Sequence, residues 1–197
     1  MLVPVTVLRR AGLSDVDALA QLHATQIHEG FLVQLGPSFL RRLYRRAVRS
    51  EHAVVAVVDD DGVVRGFVAA TPDTRAFYRE FIVHDGVPAG IAALPRIARA
   101  PRFVFETLRY GVRDEGALPK AEILAVAVAS ELRGNGWGTR LVTDAIEQLA
   151  QHGSASARVL TALDNDAALH MYEHAGFRRQ GVASVHRGVD QAVLVWP

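Results

Sequence analysis

Arg133-Gly134-Asn135-Gly136-Trp137-Gly138 is a glycine-rich turn set between an apolar run, Ile123 to Val128, and a segment of helical periodicity, Thr139 to Leu149. The run's length and valine content read as a buried strand. Leu141, Val142, Ala145, Ile146 and Leu149 form the apolar stripe of the helix. Strand, glycine turn and helix in that order make an anion site. The first N–H groups of a helix lack internal partners, its dipole adds roughly half a positive charge there, and glycine lets a phosphate reach the backbone. Spacing then decides among known turns. A Walker loop ends in Gly-Lys-Ser/Thr, whereas Gly138 is followed by Thr139-Arg140. A dinucleotide fingerprint opening at Gly134 and Gly136 needs a third glycine where Thr139 stands. The pattern that remains is R-x-x-G-x-G, on Arg133, Gly136 and Gly138.

A second pattern lies about thirty residues on, in Asn165-Asp166-Ala167-Ala168-Leu169-His170-Met171-Tyr172-Glu173-His174-Ala175-Gly176-Phe177. The strand-like stretch Ala157 to Leu163 leads into it. Asp164 or Asn165 can cap the helix that follows, and Gly176 suits its C-terminus. R-x-x-G-x-G followed at this separation by N-x-x-A-x-x-x-Y-x-x-x-G-F resembles the GNAT superfamily of N-acetyltransferases. The resemblance is strong over residues 120 to 180 and loose over residues 5 to 70.

That resemblance implies an α/β GNAT fold and an enzyme that moves an acetyl group from acetyl-CoA to a primary amine by direct attack in a ternary complex. It implies that the coenzyme pyrophosphate rests on the backbone of Arg133, Gly134, Asn135, Gly136, Trp137, Gly138 and Thr139. Pantetheine then runs along Val126, Ala127 and Val128, with Asn165 bonding its arm. Glu122, eleven residues before Arg133, resembles the glutamate that deprotonates the amine through water in the histone-acetylating branch. Val126 offers its N–H to the thioester oxygen. Tyr172 matches the family's usual general acid, which protonates the departing thiolate. The alternative is a protein of the same fold that binds acyl-CoA without catalysis and serves as a sensor or interaction partner.

Other constellations compete. His170-Met171-Tyr172-Glu173-His174 reads H-x-x-E-H, an inverted zincin signature, on a helix that stops almost at once. Asp59-Asp60-Asp61 suggests a cation but sits at a hairpin tip with nothing nearby to complete an oxygen cage. The expectation is no metal, and surface or locally bonded roles for His23, His28, His52, His84, His152 and His186. Arg41, Arg42, Arg45, Arg46 and Arg49 share one face of a helix from Pro37 to about Arg49. Such a face could bind nucleic acid, anionic lipid or an acidic substrate; the plain reading is a solvated face.

The elements that must hold these residues follow in chain order. Val5 to Leu8 reads as a strand, and Ser14 or Asp15 as the cap of a helix through Leu19 and Leu22. Ala53 to Val58 and Val64 to Ala70 read as two strands joined by Asp59-Asp60-Asp61-Gly62, a polar turn with glycine available for positive φ. Pro72 to Pro119 is an insertion, with Pro88, Pro95 and Pro101 separating two or three short helices that cover one end of the sheet. Gly181 to His186 and Gln191 to Trp196 read as closing strands, with Gly188-Val189-Asp190 turning between them. The order β-α-α-β-β-β-α-β-α-β-β gives a single domain with a mixed sheet of about seven strands and helices on both faces.

Composition sets the bounds. The chain has 197 residues, is 50% hydrophobic, carries a formal net charge of +1, and has no cysteine. Disulfides, thiolate metal sites and a cysteine nucleophile are excluded. No apolar run reaches the ~20 residues of a membrane span, and no signal-peptide core opens the chain. The expected setting is cytoplasmic. The expected partners are a coenzyme A thioester and a small-molecule or peptide amine, with no nucleic acid or membrane and with a homodimer allowed.

Overall fold

The computed structural model describes residues 6–27, 31–97, 118–186 and 189–197. β1 (Thr6–Arg10), α1 (Val16–Gln26), α2 (Phe31–Leu35) and α3 (Pro37–Arg49) open the chain. The hairpin β2 (Val54–Asp60) and β3 (Val63–Thr71) follows, then α4 (Thr74–Ile97) and β4 (Ala121–Val128). α5 (Trp137–Gln151), β5 (Ala157–Ala162), α6 (Asp166–His174), β6 (Arg178–His186) and β7 (Val189–Trp196) complete it. The strands form one sheet in the order β1-β2-β3-β4-β5-β7-β6. Every neighbouring pair is antiparallel except β4 with β5.

Both faces of the sheet are covered, and β2 shows why its sequence is an unbroken apolar run. Val55 and Val57 point into a core with Leu19, Leu40, Tyr44, Phe77 and Phe81. Val54, Ala56 and Val58 point into a second core with Leu141, Ile146, Leu169 and Tyr172. A strand buried on both sides loses the polar alternation of a half-exposed one. α1, α3 and α4 thus cover one face, and α5 and α6 the other.

The β2–β3 turn has left-handed backbone at both Asp61 (φ 52°) and Gly62 (φ 83°), the two-residue geometry that matches strand twist. The aspartate run is accounted for locally. Asp59 accepts from the Gly62 N–H at 2.7 Å and from Arg9 Nε at 2.8 Å, and Asp60 accepts from Thr6 Oγ1 at 2.6 Å.

Several elements differ from the sequence reading: α2 was not expected, β6 begins at Arg178, before the expected Gly181, and Val189 and Asp190, expected in the turn, belong to β7. β1 runs from Thr6 to Arg10, two residues beyond the expected strand. Asp15 does not cap α1: its carboxylate turns back to the Gly12 N–H at 2.7 Å and to Arg9 at 2.7 and 3.0 Å. An ion pair to a buried carboxylate outweighs one capping bond. The described part of the insertion is one 24-residue helix, α4, running through Pro88 and Pro95, where breaks were expected. A proline removes only its own N–H and disfavours helix in the residue before it, so it marks a probable boundary and not a certain one. Pro101 and the helical spacing after Phe103 lie outside the described residues.

Candidate active site

β4 is the element on which the site is built. It pairs with β3 along its length, but the register slips between Ala69 and Ala70, which oppose Ala125 and Ile123, so Leu124 is an extra residue on β4. This bulge reverses the side-chain alternation. Ala121 and Ile123 face the α5 side, Leu124, Ala125 and Ala127 the α3 side, and Val126 and Val128 the α5 side again.

On its other edge β4 meets β5 at the rungs Ala121↔Ala157 and Glu122↔Arg158. Beyond those rungs the two strands part. The Ala129 N–H donates to the Arg65 carbonyl on β3 at 2.7 Å. Backbone N–H groups alternate along a strand, so those of Val128 and Val126 point into the gap. The Val128 carbonyl, on the same side, accepts from Arg133 Nε at 3.3 Å.

The glycine turn closes the end of that gap. Gly134 (φ 78°) and Gly136 (φ 76°) are left-handed, and the space a Cβ would enter at either is open. Gly136 is the N-cap of α5, and the first backbone bond back to the turn is from the Arg140 N–H to the Gly136 carbonyl at 3.1 Å. Among the described residues, no acceptor meets the N–H groups of Gly134 through Thr139. Arg133 spans from β4 to α1, where Nη2 donates to Gln26 Oε1 at 2.6 Å. The Arg140 guanidinium lies 4.9 Å over the Trp137 ring.

Gly138 serves a different end from the other two glycines. A Cβ there would stand 2.6 Å from Met171 Sδ, so this glycine brings α5 against α6 and ties the two sequence motifs together. Sequence reasoning saw the spacing but not the contact, because Met171 occupies a variable position of the second motif.

Asn165 caps α6, accepting from the Ala168 N–H at 3.2 Å through Oδ1, which leaves its amide donors for a ligand. The helix ends as the sequence implied. Gly176, at φ 92°, donates to the Glu173 carbonyl, and Phe177 donates to the Tyr172 carbonyl, each at 3.0 Å. This double bond pattern brings a hydrophobic contact with it, here the Tyr172 and Phe177 rings at 5.6 Å, edge to face. Tyr172 is buried, burial pushes its phenol up, and its hydroxyl makes no hydrogen bond with a described residue.

Glu122 stands on the opposite face of β4, half-buried. Its Oε2 accepts from Arg158 Nε at 3.0 Å, from Arg158 Nη2 at 2.9 Å and from Thr74 Oγ1 at 2.9 Å. Burial first, and then the charge of Glu122, pushes up the phenol of half-buried Tyr78 on α4. Tyr78, Phe77, Leu124 and Ala125 line a small closed cavity against the bulge. Arg158, Thr74 and Tyr78 were not expected. An arginine inside an otherwise apolar strand was the available signal for the first, but its partner depends on the parallel register.

Two residues of the H-x-x-E-H segment have local partners. Glu173 pairs with Arg179 at 2.9 Å, and His174 Nδ1 lies 2.8 Å from the His170 carbonyl. Among the described residues no three metal-ligating side chains stand together. His23 is buried and its Nδ1 lies 2.5 Å from the Tyr44 hydroxyl. The five-arginine face loses one member, since Arg46 turns sideways to Asp85 and Glu80 of α4 at 2.6 and 3.5 Å. No helix among the described residues is long and apolar enough to cross a membrane.

The sequence profile of the acetyltransferase (GNAT) family matches residues 18–177. A 77-residue stretch is 38% identical to mycothiol acetyltransferase of Kocuria rhizophila, covering 39% of this chain and 25% of that protein. The match therefore spans a quarter of that relative's length. In three dimensions the chain resembles a phosphinothricin acetyltransferase of Sinorhizobium meliloti in complex with AcCoA, with TM-score 0.63, 15% identity and coverage of 98% and 88% of the two chains. It also resembles a GNAT-family acetyltransferase of Streptococcus pneumoniae, with TM-score 0.60, 15% identity and coverage of 97% and 98%. At such identities the likeness is one of fold.

Proposed function

The chain belongs to the acetyltransferase (GNAT) family, and from that premise we propose that it transfers an acetyl group from acetyl-CoA to a primary amine by direct attack. The observation that carries this reading is the row of N–H groups from Gly134 to Thr139 that lack an acceptor, opening beside a strand edge that faces a gap. That row fits a pyrophosphate, since left-handed Gly134 and Gly136 leave the approach free of side chains. In this reading an extended arm runs along Val126, Ala127 and Val128, and the Asn165 amide, whose oxygen caps α6, donates to it.

Acetyl-CoA supplies an activated acyl group and a thiolate leaving group. The chain's residues must provide three things: a donor for the acyl oxygen, a proton for the thiolate and removal of a proton from the amine. The Val126 N–H faces the gap and donates to the oxygen as charge develops. Tyr172, kept protonated by burial, gives its proton to the sulfur. An amine of pKa ~10.4 near neutral pH costs about 4 kcal/mol to deprotonate, and Glu122 receives that proton through water. Arg158 and Thr74 fix the carboxylate for this task.

The acceptor enters from the α4 side. Thr74 and Tyr78 place the insertion helix against Glu122 and the β4 bulge, so α4 shapes the acceptor's surroundings. The test is free-thiol release from acetyl-CoA with a panel of polyamines, amino sugars, aminoglycosides, amino acids, peptide N-termini and lysine peptides. Release with at least one amine supports the enzyme. Binding of acetyl-CoA without release for any of them supports the silent reading.

A further inference from the structure

We propose that the outer face of α3 and α4 is a docking surface for an anionic lipid bilayer. The proposal departs from the sequence-based expectation of no membrane partner, and concerns adsorption to a surface and not a span. Two observations meet there.

The first is segregated charge. Arg42, Arg45 and Arg49 lie on the side of α3 away from its buried residues Leu40, Leu43, Tyr44 and Ala47. Among the described residues they make no hydrogen bond or ion pair. α3 contains no acidic residue, and the acids of α4 are Glu80 and Asp85. Both are held by Arg46 at the seam between the helices. Among the described residues Arg42, Arg45 and Arg49 thus stand without ion-pair partners, whereas Arg41 of the same helix lies 3.9 Å from Asp17, in a chain whose formal net charge is only +1.

The second is exposed aliphatic surface beside those cations. Ile82, Val83 and Val87 of α4 are 50%, 72% and 76% exposed, and Val83 and Val87 stand one turn apart. α3 and α4 contribute to one core against one face of the sheet, so their solvent sides turn the same way. Exposed aliphatics on one helix and unpaired arginines on the helix packed against it match an interfacial surface, where apolar side chains enter the acyl boundary and guanidinium groups meet headgroups.

The same features disfavour other occupants. A nucleic-acid site calls for aromatic platforms or polar base contacts beside its cations, and these exposed residues are aliphatic. A second copy docked about a two-fold axis would set arginines against arginines.

The experiment is co-sedimentation of the full chain with vesicles of phosphatidylcholine containing phosphatidylglycerol, against pure phosphatidylcholine. The wild type is expected to bind the anionic vesicles and to be released by salt. At roughly fivefold per arginine, Arg45→Glu with Arg49→Glu should lower partitioning by more than tenfold. Val83→Ser with Val87→Ser should lower it several-fold at unchanged net charge. Both variants should keep wild-type acetyl-CoA affinity and melting behaviour, because neither touches the site. Equal sedimentation with both vesicle types overturns the proposal, as does a serine variant that binds like the wild type. Displacement of wild type and serine variant alike by a DNA duplex assigns the face to nucleic acid, and a dimer that the serine variant dissolves assigns it to self-association; either result also overturns it.

Discussion

Glu122 and Arg158 are register partners at the point where β4 and β5 part, and Arg158 donates two hydrogen bonds to a single carboxylate oxygen at 3.0 and 2.9 Å. The pair pins the vertex of the gap and fixes the carboxylate on the α4 side of β4. Breaking it from one side leaves a half-buried charge without its partner. Arg158→Met should therefore destabilise by about 2 kcal/mol. Adding Glu122→Gln should recover part of that loss. Urea unfolding of the two single variants and the double variant checks this through the coupling energy, and additive losses would remove the pair's structural role.

Tyr172 separates chemistry from stability. Its hydroxyl has no hydrogen-bond partner among the described residues, so deleting it forfeits no bond and removes a buried polar group at little or no cost. Tyr172→Phe should keep or raise the melting temperature while lowering kcat by about 10²-fold, with acetyl-CoA affinity unchanged. A variant with wild-type turnover would show that the thiolate takes its proton elsewhere.

Gly138 and Met171 should answer to each other. Gly138→Ala drives a methyl to within 2.6 Å of Met171 Sδ, near the end of a flexible side chain that can swing aside, so stability should fall only slightly while the α5–α6 seam beside the turn is displaced. Shortening the partner in Gly138→Ala/Met171→Ala should restore acetyl-CoA binding relative to the single glycine variant. If the double variant binds no better, the glycine acts through the ligand and not through α6.

Much of this was legible in the sequence because the informative patterns are local. The glycine turn before α5, the α5 stripe and the ending of α6 at Gly176 each depend on residues within a few positions, and period and capping chemistry read them directly. The β2–β3 hairpin is legible for the same reason, although its strands take in Asp59, Asp60 and Val63 and leave Asp61-Gly62 alone as the turn. What stayed hidden is set by contacts across the chain. The bulge at Leu124 follows from how β3 and β4 register. Arg158 meets Glu122 only once a parallel rung brings them together, and Asp15 gave up its cap for Arg9, a partner on another element. α4 misled because proline was read as a break, although one missing N–H does not oblige a helix to stop.

His23 should govern acid sensitivity. Burial lowers its pKa to about 4 from 6.5, so between those values the unfolded chain binds a proton that the folded chain refuses. Stability is at its full value above pH 6.5 and falls as pH drops towards 4, by up to about 3 kcal/mol. Asp15, held below the usual carboxylate range chiefly by Arg9, adds a further loss at still lower pH. His23→Gln keeps a polar partner for Tyr44 without titrating, so its stability should be flatter across that window. Denaturant melts at a series of pH values decide it, and parallel curves for the two proteins would contradict the assignment.

Calorimetric titration of acetyl-CoA into wild type and Gly136→Asp tests the central claim, that the acceptor-free N–H row holds the coenzyme. Aspartate tolerates left-handed backbone better than most residues and meets open space at this position, so the fold should survive, with a melting temperature lowered by the strain of a side chain at φ 76°. Its carboxylate would occupy the N–H groups and repel the pyrophosphate. The expected result is saturable binding to the wild type and a loss of at least about 100-fold in the variant. Equal affinity in a folded variant would contradict the placement.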